Sequence, residues 1–371
     1  MRILHVSDTH LGYSAYHKVD PDNGLNQREV DVYRAFERFV DRAIDLAPEA
    51  VIHSGDLFDS VRPSNRALYF AQRQLLRLSE ADVPTVIIAG NHSAPRLRGT
   101  GCAHQLFDHL DNVHPVYRER MERVEIGQMT VHALPHCEGK RFQEELGRFH
   151  PDKSDYNVGM MHAGVRKNDR ILIMEEFNER EVEDFLLDED FDYIGLGHFH
   201  QRAKVAENAC FSGSTERFHL NDAGRRKGFL EVDLDTGTRK FHELPIRPMV
   251  YLGREDASGM DGKTIQEMVE ACIEGNELAG AIALIRVINI SPSAYRTIDF
   301  HRIDRMASSA LHFERKFEVR QQNSSGHGGD AVLDSLEKEF VQFLEGQSKV
   351  GGHRESLQSK GLEYLKRRLD A

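Results

Sequence analysis

Five short apolar runs in the first two hundred residues each end in a polar cluster. SDTH (Ser7 to His10) follows Ile3 to Val6, SGD (Ser54 to Asp56) follows Ala50 to His53, and AGNH (Ala89 to His92) closes the run from Pro84. HAG (His162 to Gly164) follows Val158 to Met161, and GHFH (Gly197 to His200) follows Tyr193 to Leu196. The runs are strand-length and rich in Val and Ile. Between the first two, Val32, Tyr33, Phe36, Val40, Ala43 and Ile44 recur at spacings of three and four, which predicts a helix with one buried face. A second helix is expected to begin near Pro63, since Pro suits the first helical position. This alternation predicts an α/β layered domain over residues 1–248. In open α/β sheets ligands bind beyond the carboxyl ends of strands, so clusters placed this way can converge on one site.

The side chains delivered there are Asp8, His10, Asp56, Asn91, His92, His162, His198 and His200. Carboxylate, amide and imidazole together suit Mn²⁺, Fe or Zn²⁺ better than Ca²⁺ or a thiolate site. The set exceeds what one ion takes while leaving room for substrate, and it suits two metals sharing a carboxylate, with Asp56 the natural bridge. Spacing of two on an extended segment puts the His198 and His200 rings on one side, as ligands of a common centre require.

Composition narrows the class. Of 371 residues, 40% are apolar and 29% charged, which excludes a disordered or fibrous chain. The length predicts two or three domains. The longest strongly apolar stretch, Ala281 to Ile290, is about half a membrane span and contains Arg286, so no transmembrane helix is expected. Asp8 and His10 arrive too early for a secretory leader, which makes a cytoplasmic location the expectation. Cys102, Cys137, Cys210 and Cys272 lie far apart with no C-x-x-C pair and read as reduced thiols. With 48 Lys and Arg against 60 Asp and Glu the net charge is −12, which argues against a general affinity for nucleic acid.

Past Pro245 and Pro248 the alternation breaks. Residues 249–321 read as a small mixed domain: Val250 to Leu252 extended, Thr264 to Ile273 helical, Ala281 to Ile290 a strand, Ile303 to Leu311 helical and Phe313 to Val319 a strand. Residues 322–329 contain NSSGHGG and read as a flexible linker. Residues 330–371 carry two apolar stripes at helical spacing, Leu333, Leu336, Phe340 and Leu344, then Leu362, Leu365 and Leu369.

The blocks D-x-H, GD, GNH, H and GH-x-H, in this order, resemble the calcineurin-like metallophosphoesterase family. That resemblance implies an α/β fold, a four-layer α-β-β-α sandwich with a small α/β cap domain and C-terminal partner-binding helices. It implies one metal held by Asp8, His10, Asp56 and His200, a second held by Asp56, Asn91, His162 and His198, and Mn²⁺ as the expected ion. It assigns His92 to the scissile phosphate as the catalytic residue. Within the family, ILHVSDTHLGY, HSGDLFDSVRPS and GSTERFHLNDAGRRKGFLEVDL look like the SbcD and Mre-eleven group of DNA double-strand-break repair nucleases. The implied activities are 3′-to-5′ exonuclease and single-strand endonuclease action on DNA ends. The implied partners are a second copy of the chain, as a homodimer, and an SbcC-type SMC-like ATPase gripped by the helices over 330–371, with no membrane. Two positions depart from the pattern: Ser93 stands where an acidic residue is usual after GNH, and Asp59 stands where Mre-eleven relatives often have His.

Outside the constellation, Arg62, Arg66, Arg96 and Arg98 follow the second and third blocks and are candidates for phosphate contacts. Arg225, Arg226 and Lys227 are expected in a surface turn. His53, His104, His109, His114, His132, His136 and His219 lack comparable spacing and are expected to be structural or solvated. The residues by themselves imply phosphoester hydrolysis. A small-molecule phosphodiesterase or phosphatase, and a non-catalytic DNA-end scaffold for the ATPase, stay open as alternatives.

Overall fold

The computed structural model describes residues 1–93, 101–167, 170–172, 180–183, 187, 190–320, 357, 358 and 360. Met1–Arg320 forms one compact unit; a second, Gln321–Ala371, contributes only residues 357, 358 and 360 to the described set. In chain order the elements are β1 (Arg2–Val6), α1 (Gln27–Leu46), β2 (Ala50–His53), α2 (Asn65–Glu80), β3 (Thr85–Ile88), β4 (Val113–Val116), β5 (Glu122–Ile126), β6 (Met129–Leu134), α3 (Lys140–Leu146) and β7 (Tyr156–His162). The short strands β8 (Gly164–Lys167), β9 (Arg170–Leu172) and β10 (Glu181–Glu183) follow, then β11 (Tyr193–Gly197), β12 (Ala203–Lys204), β13 (Ala209–Phe211), β14 (Gly228–Asp233) and β15 (Thr238–Glu243). The last stretch holds β16 (Met249–Asp256), α4 (Gly262–Glu274), β17 (Ile282–Ile290), α5 (Pro292–Tyr295), α6 (Phe300–Met306) and β18 (His312–Val319).

Two six-stranded sheets, ordered β15-β14-β1-β2-β3-β4 and β12-β13-β11-β7-β6-β5, stack face to face. Successive side chains of a strand point to opposite faces, so each strand serves two layers. In β1, Ile3 packs between the sheets with Ile52, Ile88, Val131, Val158 and Met160, whereas Leu4 and Val6 pack outward against Val32, Phe36 and Phe39 of α1 and Leu75 of α2. On the far side, Met161, Ile194 and Leu196 meet Phe142 and Leu146 of α3. The result is the expected α-β-β-α layering. Each large side chain buried in these layers contributes about 1.5–3 kcal/mol.

Boundaries differ from the sequence expectation where a single cap decides them. Helix α2 begins at Asn65 rather than Pro63, because the Ser64 hydroxyl accepts the Ala67 N–H at 3.2 Å. Helix α6 starts at Phe300, where Asp299 caps the Arg302 N–H, and stops at Met306 instead of reaching Leu311. The sheet β16-β17-β18 is wholly parallel, and its crossovers are α4 and the α5–α6 pair. It has a core of its own, including Ile265, Val269, Ile285, Val287 and Ile303. All four cysteines are free. Among the described residues no helix is long and apolar enough to cross a membrane.

Candidate metal centre

Strands β1, β2 and β3 run parallel as neighbours in one sheet, and β7 and β11 do so in the other. Their carboxyl ends therefore deliver side chains to one side of the sandwich. Asp8 and His10 follow β1, Asp56 follows β2, and Asn91 and His92 lie in a 3₁₀ turn (Asn91–Ser93) after β3. His162 ends β7, and His198 and His200 follow β11.

The loops that carry these groups are bent hard. Asp8 (φ 53°), His10 (φ 46°), Asp56 (φ 53°) and His198 (φ 95°) all have left-handed backbones, each costing on the order of 1 kcal/mol or more, and such strain clusters at functional sites. Backbone bonds from Asp8 N–H to the Gly55 carbonyl and from Thr9 and His10 N–H to the Asp56 carbonyl, each 3.0 Å, lock the first two loops together. Glycine is obligatory where loops meet ligands. A Cβ on Gly90 would stand 2.2 Å from Asp56 Oδ1, and one on Gly197 would stand 1.9 Å from the Ser54 carbonyl oxygen.

All eight side chains of the constellation come together. His162 Nε2 lies 3.1 Å from Asp56 Oδ2 and 2.9 Å from Asn91 Oδ1. His10 Nε2 and His200 Nε2 face each other at 3.1 Å, and the His162 and His198 rings meet edge to face at 5.2 Å. The Asp8 carboxylate accepts from Ser7 Oγ–H at 2.5 Å and from the His198 backbone N–H at 3.0 Å. Ligand atoms of Asp8, His10 and His200 lie within 4.8 Å of one another, as do those of Asp8, Asp56 and His162, and those of His10, Asp59 and His92. Asp8 stands in two of these groups and Asp56 in one.

Charge within the cluster is unbalanced in a way that a cation would settle. Burial opposes ionisation of Asp56, yet the adjoining His162, through its charge and hydrogen bond, with His92 and His10, holds the carboxyl well below its usual range. Burial lowers His162, but Asp56 and Asp8 together raise it to about 9. Burial, with His10 and Lys227 nearby, keeps His200 well below the ordinary histidine range. Nδ1 of His200 has no hydrogen-bond partner among the described residues, and its Nε2 meets another imidazole nitrogen. Imidazoles converging on buried carboxylates are the donor set divalent metal ions take, with a cation replacing the proton that Asp56 and Asp8 hold on His162, so the residues present fit them.

His92 is held differently. Its backbone N–H donates to Asp56 Oδ1 at 3.0 Å and its Nδ1 lies 2.7 Å from the Asp59 carbonyl oxygen, which makes Nδ1 the protonated nitrogen. The ring stands edge-on to His10 at 4.9 Å. Asp59 also brings its carboxylate to 3.4 Å from His10 Nδ1, so the residue that departs from the family pattern borders the site. Ser93 is buried, with its N–H on the Gly90 carbonyl.

The other candidates separate. Arg62 is exposed, and Arg66 pairs with Glu29 at 3.2 Å. Arg96 and Arg98, and all seven apolar positions from Leu333 to Leu369, lie outside the described residues. His53 is buried with Nε2 on the Thr9 hydroxyl, and His104 and His132 are buried in the body of the domain, as expected. Two supporting residues escaped the sequence reading. Phe218 packs its ring at 4.8 Å from His10 and 5.4 Å from His200. Lys227, expected in a surface turn beside the exposed Arg225 and Arg226, is only 2% exposed, and its ammonium donates to the His200 carbonyl at 2.7 Å, Ser214 Oγ and Asp222 Oδ1. The available signal was its place directly before β14, whose first residues are buried.

Residues 1–202 match the family model described as calcineurin-like phosphoesterase. Among similar curated proteins is the DNA double-strand break repair protein Mre11 of Sulfurisphaera tokodaii, 32% identical over 204 residues, covering 54% of this chain and 49% of that protein. The Mre11 protein of Methanococcus maripaludis is 30% identical over 249 residues, 63% of each chain. That of Methanocaldococcus jannaschii is 31% identical over 272 residues, 67% of this chain and 70% of the relative. The chain thus spans about half the length of the first relative and less than two thirds of the second.

Proposed function

This chain belongs to the calcineurin-like phosphoesterase family and, within it, to the group of the Mre11 double-strand break repair proteins, and from that premise we propose that it is a two-metal DNA nuclease. Its reactions are 3′-to-5′ exonuclease and single-strand endonuclease cleavage at DNA ends, carried out as a homodimer with an SbcC-type ATPase. The observation that supports this best is the convergence of two carboxylates, an amide and four imidazoles from the strand ends of both sheets. Asp8, His10, Asp56 and His200 would hold one ion, and Asp56, Asn91, His162 and His198 the other, with Mn²⁺ the ion we assign.

When bound, the ions neutralise phosphodiester charge and supply a nucleophile near neutral pH. The chain's residues prepare the ground for that chemistry. Ser7 and the His198 N–H fix the Asp8 carboxylate, and the His92 N–H fixes Asp56. With its Nδ1–H donated to the Asp59 carbonyl, His92 would hold or deliver a proton at the leaving oxygen through Nε2, a role worth about 10² to 10⁴ in rate.

The test is cleavage of labelled duplex and single-stranded DNA with Mn²⁺, beside a bis-aryl phosphate and a phosphopeptide. The parent should degrade DNA, and His92→Ala should bind both metals yet lose about 10²- to 10⁴-fold in turnover. Parent-rate cleavage by His92→Ala would remove that residue from the chemistry. Turnover of the aryl ester with DNA left intact would point to a small-molecule phosphodiesterase instead.

A further inference from the structure

We infer that the open edge of the sandwich beside the metal centre is a binding strip for the phosphodiester backbone of DNA, formed by Arg202, Arg226 and the ring of Phe241. The inference rests on the nuclease reading above and names a surface through which that reading would act. Strand β15 is the edge of one sheet and β12 the edge of the other. The two edges adjoin: Arg239 of β15 donates to Cys210 Sγ of β13 at 3.1 Å and to the Glu207 carbonyl in the turn after β12. On this edge Phe241 is half-buried, and two guanidinium groups lie over its ring, Arg202 at 4.4 Å from the centroid and Arg226 at 5.5 Å.

Two cations on one aromatic ring are each attracted to its face but repel each other. Of the two, Arg226 alone has a carboxylate partner among the described residues, Glu243, and that Arg is 63% exposed. Arg202 is exposed and has no carboxylate partner among the described residues. An anion shared by the two forks would relieve the repulsion. Guanidinium geometry matches phosphate oxygens in bidentate fashion, and the ring beneath holds both guanidinium groups in place for that contact.

The strip is also tied to the proposed metal centre. Arg202 lies two residues beyond His200, and Arg226 directly precedes Lys227, whose ammonium donates to the His200 carbonyl. Both arginines thus spring from the two segments joined at the bond that anchors His200. A backbone phosphate held by the two arginines is held in fixed relation to that proposed ligand. Against a net charge of −12, a local strip of this kind is what an acidic chain needs to engage a polyanion at all.

The experiment measures affinity of the full chain for a labelled single-stranded oligonucleotide by fluorescence anisotropy, with EDTA present, from about 50 to about 200 mM salt. Arg202→Ala should weaken binding roughly 5- to 10-fold and flatten the plot of log Kd against log salt by about 0.7, the expectation for one lost phosphate contact. Arg202→Ala with Arg226→Ala should flatten it about twice as much. With Mn²⁺, the ratio of kcat/KM for DNA to that for a bis-aryl phosphate should fall at least about fivefold in the double variant. If the parent cleaves DNA and the double variant keeps the parent's affinity and salt slope, the strip is wrong and the nuclease reading stands. If the parent turns over the aryl ester but neither binds nor cleaves DNA, the nuclease reading fails and the strip falls with it.

Discussion

Lys227 shows how far a residue outside the motif blocks can govern a proposed ligand inside them. Its ammonium is desolvated, which lowers its pKa, and is kept charged by Asp222. The same group pins the His200 carbonyl, and with it the backbone that aims the ring. Lys227→Met removes the cation and leaves the buried Asp222 carboxylate with only the Phe218 and His219 N–H groups as hydrogen-bond partners among the described residues, a change that should cost about 3–5 kcal/mol in urea unfolding. Metal affinity by titration calorimetry should fall as well, because His200 loses its anchor. A variant that unfolds earlier yet binds metal at parent affinity would confine Lys227 to a structural part. The clustered motif residues were legible in the sequence because a site built from convergent strand ends calls for particular residue types at particular spacings. Lys227 and Phe218 were not, because what they do depends on which distant segment folds over them, and a Lys between Arg226 and Gly228 carries no local mark of burial.

At the scale of elements, hydrophobic period identified the strands and helices well, while sheet order lay beyond it. β1 pairs in parallel with β2 but antiparallel with β14, more than two hundred residues away, and no local pattern encodes that choice. Where the two sheets meet, His5 of β1 reaches Tyr193 of β11, Nδ1 to the phenol oxygen at 2.8 Å, with both side chains fully buried. Burial pushes the His5 pKa down from 6.5 to about 3. The unfolded chain therefore takes up this proton first, so the stability contributed by neutral His5 is complete above about pH 6.5 and is lost progressively as pH falls towards 3. The slope between those limits is about 1.4 kcal/mol per pH unit for each such group. Replacing both partners, His5→Leu with Tyr193→Phe, should flatten the acid limb of the stability curve by about one proton without leaving a buried polar atom unpaired. Urea unfolding at several pH values checks it, and an unchanged slope would show that His5 takes up its proton as readily in the folded protein as in the unfolded chain.

For the molecule as a whole, the distribution of function along the chain follows from where the described residues place it. Every ligand candidate, His92 and the Arg202 strip lie within Met1–Arg320, a compact unit with its own layered core. Beyond it the sequence turns to a Gly- and Ser-rich stretch and then to two apolar stripes, Leu333 to Leu344 and Leu362 to Leu369. An apolar stripe at helical spacing must be covered by something, and one that follows a Gly- and Ser-rich stretch of sequence is suited to a partner's surface. A chain ending at Gln321 should therefore keep Mn²⁺-dependent cleavage of short DNA within about threefold of the parent while losing capture of an SbcC-type ATPase. Co-elution on a sizing column, with cleavage measured on the same preparation, reads both properties together. Capture undiminished by the truncation would move the partner surface into the first unit. Loss of cleavage on short DNA would mean that the last fifty residues support the metal centre, and that the division of labour drawn from the sequence is wrong.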